Sequence, residues 1–246
     1  MNFLLNFLIV FISPVLAFAV VEAVPHLTIR YNARPPFIYE EAGKVQGEVA
    51  TFALKVIEES GVPYEVVHTP VNRQLMLIFA GQGFDCSMGW FRTPEREKNA
   101  KFTDATYDDG PWVAIGHKGT LDPQLKTARE ILQNRKWRFL YQERFSNGPV
   151  LDQIIADLKP PSVLMEGDME KMLLMVKSGR ADYFFLSDIE FRHLLETTKS
   201  QRNEFVVIKV SDLPETPKRH IMCSKKVPDF VIERLNKAIQ KVRSKS

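Results

Sequence analysis

The chain has 246 residues, of which 45% are hydrophobic and 26% charged, with a formal net charge of +3. That balance is ordinary for one large or two small globular domains. It carries no block of like charge, so nothing in it calls for a nucleic-acid partner or an anionic membrane surface.

The first element is a leader. Residues 3–12 are apolar apart from Asn6, and Ser13, Pro14 and small residues follow. Ala17-Phe18-Ala19 and Val21-Glu22-Ala23 both suit a signal-peptide cleavage site. The run is short for a bilayer span and sits where a secretory signal belongs, although no Lys or Arg precedes it. Residues 1–23 are therefore expected to be removed, leaving a soluble periplasmic protein. No Cys follows the leader to carry a lipid anchor.

Strands and helices then alternate. Residues 27–31 read as a strand, and Arg34-Pro35-Pro36-Phe37 as a loop, because Pro lacks a backbone donor and restricts its neighbour. After Gly47, Val49, Phe52, Ala53, Val56 and Ile57 fall at helical spacing, and Gly61 with Pro63 ends that helix. Residues 64–69 form a strand, and Asn72 caps a helix holding Leu75, Ile78 and Phe79. A strand over 84–90 precedes Thr93-Pro94, a cap followed by Pro in the first helical turn. Residues 112–116 form the next strand.

A second set of units places helices over 127–134, from Ser146-Asn147-Gly148-Pro149 to 159, over 168–179 and over 188–197. Strands fall at 137–141, 163–165, 182–186 and 205–210. Residues 213–217 are a linker, 219–224 a last strand, and a final helix starts near Pro228. Alternation of this kind predicts an α/β protein with mainly parallel sheets flanked by helices.

Cys86 and Cys223 are the two cysteines. Two small buried residues in strands is the favoured reading, with a disulfide as the alternative, since sequence carries no Cα separation. There is no C-x-x-C, and the five histidines show no metal spacing. G-x-S-x-G, the Walker loop and G-x-G-x-x-G are all missing, so no cofactor is expected.

Gly89-Trp90-Phe91-Arg92-Thr93-Pro94-Glu95-Arg96, followed by Phe102-Thr103-Asp104, resembles a signature of the family 3 bacterial solute-binding proteins. Pro35-Pro36-Phe37, Gly47, Gly179-Arg180-Ala181-Asp182 and Arg234-Leu235-Asn236-Lys237-Ala238-Ile239 are similar to further landmarks of that family, in the same order. Asn72-Arg73 and Trp112 look more like a divergent branch of stand-alone substrate-binding domains. The resemblance implies the type II two-lobed binding fold with a two-strand hinge near 107–111 and 212–217. One lobe would take residues 24–108 and 214–246, and the other 109–213. It further implies a monomer that captures a small amino-acid-like carboxylate between the lobes for an ABC-type permease.

The same resemblance assigns site residues. Arg96 stands where family members clamp the ligand carboxylate, and a planar guanidinium fork suits that task. Its predicted place in the first turn of a helix adds backbone donors; a surface ion pair is the plain alternative. Phe37 and Tyr39 stand where an aromatic covers the ligand, with Trp90 and Phe91 beside the clamp. Core packing is the alternative for each. Ser146, Asn147 and Gly148 would donate hydrogen bonds from the second lobe, or only cap its helix.

Three departures matter. Phe91 replaces the usual hydroxyl residue, Val49 and Thr51 replace common Asp residues, and Ser187 occupies the position of the ammonium-binding Asp. Either Asp188 reaches the cleft instead, or the ligand lacks an α-ammonium group. Two other functions compete. A ligand-sensing protein could serve a sensor kinase or chemoreceptor. A dehydratase-like enzyme on this fold would draw its acid from Glu166, Asp182, Asp188 or Glu190.

Overall fold

The structure is a computed structural model in which residues 23–142, 145–214 and 218–245 are described. The leader through residue 22 and residues 215–217 of the expected linker lie outside them.

In chain order the first half runs β1 (Leu27–Tyr31), the hairpin β2 (Tyr39–Glu41) and β3 (Lys44–Gln46), α1 (Glu48–Ser60), β4 (Tyr64–His68), α2 (Val71–Ala80), β5 (Asp85–Trp90), α3 (Pro94–Asn99) and β6 (Ala100–Asp108). The second half continues with β7 (Trp112–His117), α4 (Ala128–Gln133), β8 (Phe139–Gln142), α5 (Pro149–Leu158), β9 (Ser162–Met165), α6 (Met169–Lys177), β10 (Tyr183–Ser187), α7 (Asp188–Thr197), β11 (Phe205–Lys209), β12 (Lys218–Ser224) and α8 (Asp229–Ser244).

Two five-stranded sheets result, ordered β4-β1-β5-β12-β6 and β11-β7-β10-β8-β9. The chain crosses from the first sheet to the second after β6 and returns before β12. The expected parallel pairings are present, β1 with β4 and β5, and β8 with β9 and β10. The strands that follow the crossings, β7 and β12, each enter their sheet antiparallel to both neighbours, so both sheets are mixed.

Burial follows strand periodicity. In the first sheet Leu27, Ile29 and Tyr31 face a core built with α1 and α8. In the second, Trp112 and Ala114 face one core while Val113 and Ile115 face another. That is why β7 reads as a continuous apolar run: helices cover both of its faces.

Helix boundaries follow local chemistry. Gly47 starts α1 at φ 116°, where a Cβ would lie 2.4 Å from the Phe37 carbonyl oxygen, so this position tolerates only glycine. Gly61 ends α1 in the left-handed conformation. Thr93 caps α3 by accepting from the Arg96 amide at 3.3 Å, with Pro94 in the first turn. Three expectations shift. The cap of α2 is Pro70 rather than Asn72, because the Gln74 amide donates to the Pro70 carbonyl at 3.0 Å and its side-chain Nε2 donates to the Thr69 backbone carbonyl at 2.6 Å. The hairpin β2–β3 and most of the nine-residue β6 were not expected as strands.

The preferred reading of the cysteines is overturned. Cys86 and Cys223 are cross-strand partners on β5 and β12, with sulfurs 2.05 Å apart in a disulfide. Both are fully buried, as expected, but the strand pairing brings them together across 137 residues of sequence.

Two ion pairs tie distant segments. Arg219 on β12 holds Asp109, in the crossing after β6, through Nε at 2.6 Å and Nη2 at 2.7 Å. Arg34, in the loop after β1, holds Glu190 on α7 through Nε at 2.7 Å and Nη2 at 3.2 Å, joining the two lobes. Burial pushes the Glu190 carboxyl up, but the Arg34 charge and hydrogen bonds, then Arg219 and Ser187, outweigh it and hold it below the ordinary value.

Two predictions follow from these links. Replacing both cysteines with Ala should lower stability by about 2–5 kcal/mol, a melting point lower by about 5–15 °C, because a long loop is released in the unfolded chain. An unchanged calorimetric midpoint would contradict this. The depressed Glu190 pKa contributes stability that is present above the unfolded carboxyl value of about 4.3 and lost as pH falls through the folded one. Glu190→Gln should therefore flatten the acid limb of stability and cost about 3 kcal/mol at neutral pH. Denaturant titrations across pH check both parts, and an acid limb matching wild type would refute the assignment.

Candidate functional site

The Pro35-Pro36-Phe37 loop, the end of β5 and the first turn of α3 meet the segment between β8 and α5 across the lobes. They border a partly open cavity lined by Asn32, Arg34, Phe37, Ile38, Val49, Val71, Met88, Gly89, Trp90, Phe91, Arg96, Phe145, Ser146 and Arg219. Gly89, at φ 82°, leaves the wall thin where Val49 and Ile38 approach.

Arg96 is buried, with its guanidinium 4.7 Å from the centre of the Trp90 ring and Nη1 donating to the Phe91 carbonyl at 3.0 Å. Withdrawal from water lowers its pKa to about 10, against the raising influence of Asp152 and Glu95. The helix that carries it, α3, has only six residues, so the backbone-donor argument made from sequence loses its force; the guanidinium itself is the feature of interest.

Trp90 is fixed from behind by a polar chain. Its Nε1 donates to Ser87 Oγ at 2.7 Å, Ser87 donates to the Gln74 side chain, and Gln74 Nε2 donates to Asn32 Oδ1 at 3.0 Å. A buried polar network satisfied in this way locks the rotamer of the aromatic wall. Across the cavity Arg219 lies between two rings, 4.5 Å from Phe37 and 4.4 Å from Phe91, while its Nη1 donates to the Gly89 carbonyl at 3.0 Å. Phe37 and Phe91 are thus both cavity wall and packing for a buried cation.

Five of the eight residues expected at the site line this cavity: Arg96, Phe37, Trp90, Phe91 and Ser146. Tyr39 is placed elsewhere, half-buried in the β2–β3 hairpin. Asn147 lines a neighbouring cavity of about 310 Å³ that shares Phe91 and also holds Trp112 and His220. Asp188 turns away, with its carboxylate 3.2 Å from Arg192 and 3.6 Å from Arg202.

The turn before α5 is closed on itself. Ser146 donates its hydroxyl to Asp152, and the Asn147 amide donates to the same carboxylate at 2.8 Å. Burial pushes the Asp152 carboxyl up against these hydrogen bonds and the charge of Arg96. Ser187 caps α7, accepting from the Glu190 amide at 3.3 Å.

Arg34, Asp109 and Arg219 were not singled out from sequence, and Glu190 was considered only as an acid catalyst. The available signal was weak: an Arg near the start of the last strand, and an acidic pair beside Gly110 at a crossing. Glu190, held ionised by Arg34, is not poised to donate a proton near neutrality. Asp182 is also held low: burial raises it, but Arg138, bound at 2.9 Å and anchoring β8 to β10, outweighs burial. Among the described residues no cluster of His, Cys, Asp or Glu suits a metal ion, and no helix is long and apolar enough to cross a membrane.

Comparison with known proteins places this geometry. No curated protein matches the chain. Among solved structures, one from work on glutathione import via GshT and the cystine ABC importer TcyBC of Streptococcus mutans aligns at a TM-score of 0.69 and 15% identity, covering 89% of this chain and 90% of that one. The arginine-binding protein of T. maritima in its holo form aligns at 0.66 and 20% identity, covering 89% and 90%. An amino acid ABC transporter substrate-binding protein, AbpA of Streptococcus pneumoniae, bound to L-arginine, aligns at 0.66 and 18% identity, covering 89% of each chain. At such identities the likeness establishes the type II two-lobed fold. The sequence pattern of one family spans residues 27–246, nearly all of the described chain, and on that match the protein belongs to the bacterial extracellular solute-binding proteins, family 3.

Proposed function

We propose that this protein captures a small carboxylated solute in the cleft between its lobes and presents it to an ABC-type permease. The observation that carries the reading is the Arg96 guanidinium, buried in the interlobe cavity against Trp90 with its pKa pulled down by desolvation. A cation withdrawn from water gains most from an anion delivered into the same space. A carboxylate matches the guanidinium fork in two parallel hydrogen bonds. Phe37, Trp90 and Phe91 supply the apolar walls that small-molecule sites use, and Ser146 reaches the cavity from the second lobe.

Sheet membership supports the lobe limits read from sequence, with residues 24–108 and 214–246 in one lobe and 109–213 in the other. The segments joining them would flex as a hinge when the lobes open. Export through the apolar leader agrees with the Cys86–Cys223 disulfide, a bond that persists in oxidising compartments such as the periplasm. The permease partner is inferred from the family and from the importer context of its structural relatives.

A thermal-shift screen against organic acids, amino acids and small peptides should give hits confined to carboxylated solutes, since a ligand that binds only the folded state raises the melting point. For the best hit, Arg96→Ala should weaken binding by about 2 kcal/mol or more, roughly thirtyfold. Arg96→Lys should fall between, keeping the charge but losing the fork. An Arg96→Ala protein with wild-type affinity would rule the clamp out.

A further inference from the structure

One hydrogen-bonded chain links two walls of the cavity, and its direction is fixed at both ends. The Trp90 indole Nε1, which can only donate, gives its proton to Ser87 Oγ at 2.7 Å. Ser87 turns its own proton to Gln74 Oε1. Gln74 and Ser87 are fully buried. Gln74 Nε2 gives one proton to the Thr69 carbonyl, which can only accept, at 2.6 Å. A reversed Gln74 amide would set two acceptors against each other at that point. The other Nε2 proton goes to Asn32 Oδ1 at 3.0 Å.

Asn32 lines the same cavity as Trp90 and Arg96. Its oxygen is engaged by Gln74, and its Nδ2 makes a 3.4 Å contact with the Ala33 carbonyl, again a group that can only accept. Both neighbours therefore hold the Asn32 amide the same way round, and what it offers a solute is a donor.

We infer, building on the reading of the cleft as a carboxylate site, that Asn32 is a specificity-determining residue that donates a hydrogen bond to the solute, so that preferred solutes carry an acceptor oxygen (hydroxyl, carbonyl or second carboxylate) besides the carboxylate held by Arg96. The contact with Ala33 is longer than an ordinary N–H···O bond, and Asn32 is half-buried, so a seated solute covers a donor that is still in need of an acceptor. Covering it with a methylene costs free energy that an oxygen in the same place recovers. A site built to hydrogen-bond one group discriminates against the analogue that lacks it. The chain also sets the spacing. At its far end Trp90 packs on the Arg96 guanidinium at 4.7 Å, so donor and clamp are held in one register.

Solutes matched except for one acceptor group test this directly: pyruvate against propionate, succinate against butyrate, and L-aspartate against L-2-aminobutyrate. In calorimetric titrations, the oxygen-richer member of the tightest-binding pair should bind about tenfold tighter or better. Equal or tighter binding of its partner overturns the inference and leaves the carboxylate-binding reading standing. Absence of heat and of thermal shift with all six overturns both.

Two variants, checked for folding by circular dichroism, assign the preference to its residue. Asn32→Ala should erase it while leaving the affinity of the oxygen-poorer member within about threefold of wild type. Asn32→Asp keeps an oxygen for Gln74 but meets the solute with an acceptor, so the oxygen-richer member should lose about tenfold more affinity than its partner. A preference that survives both substitutions in folded protein means that Asn32 does not meet the solute, and the inference fails.

Discussion

The Arg219 guanidinium is the point on which the rest of the structure turns. It binds Asp109 with two short hydrogen bonds, donates to the Gly89 carbonyl, and is stacked between Phe37 and Phe91. Each contact comes from a different segment: the first crossing, the end of β5, the loop after β1 and the approach to α3. A buried ion pair adds little net stability against an apolar substitute, because both ions give up their hydration. What it adds is geometry. The fork allows one arrangement of carboxylate and carbonyl, and the two ring faces allow one plane for the guanidinium. The floor of the cavity and the start of the first crossing are therefore positioned by one side chain.

The same arrangement explains the character of the cavity. Phe91 stands where the sequence resemblance led us to expect a hydroxyl, and its ring covers Arg219. The hydroxyl chemistry of the second lobe is also turned inward, since Ser146 serves Asp152 and Ser187 serves the α7 cap. On the proposed reading of the cleft, polar recognition would fall mainly to Arg96, which is buried against the Trp90 ring. In such surroundings one charge-assisted contact outweighs several neutral ones.

What could be read from the chain divides by range. The α1 boundaries, the Thr93-Pro94 start of α3 and the 188–197 helix depend on glycine conformation, side-chain caps and apolar spacing within a few residues, and those are written in the local sequence. The two-lobed plan and Arg96 came from an ordered set of motifs. The disulfide was only the less favoured reading because its partners are 137 residues apart. The Arg219–Asp109 and Arg34–Glu190 pairs span 110 and 156 residues, and no local pattern tells an arginine that will be buried against a carboxylate from one that will face water. Asp188 illustrates the converse. Its position suggested a ligand contact, yet in the first turn of α7 it lies one step from Arg192 on the helix surface and within reach of Arg202.

The interlobe pair Arg34–Glu190 must be weighed differently from Arg219–Asp109. Asp109 lies in the first crossing and Arg219 near the start of β12, where the second crossing ends, so they need not separate when the lobes hinge. Arg34 and Glu190 sit on opposite lobes, and opening parts them. Removing one partner by mutation strands a charge in the closed interior and is costly. Parting both by opening returns each to water, which recovers most of the desolvation that closure imposed. The pair is therefore a weak latch but a strict register: it favours one closed alignment of the lobes with little penalty for leaving it. A ligand biases such an equilibrium only through contacts made in the closed state. On the proposed reading of the cleft, those contacts would reach Arg96 and Trp90 on one lobe and the Phe145–Ser146 segment on the other.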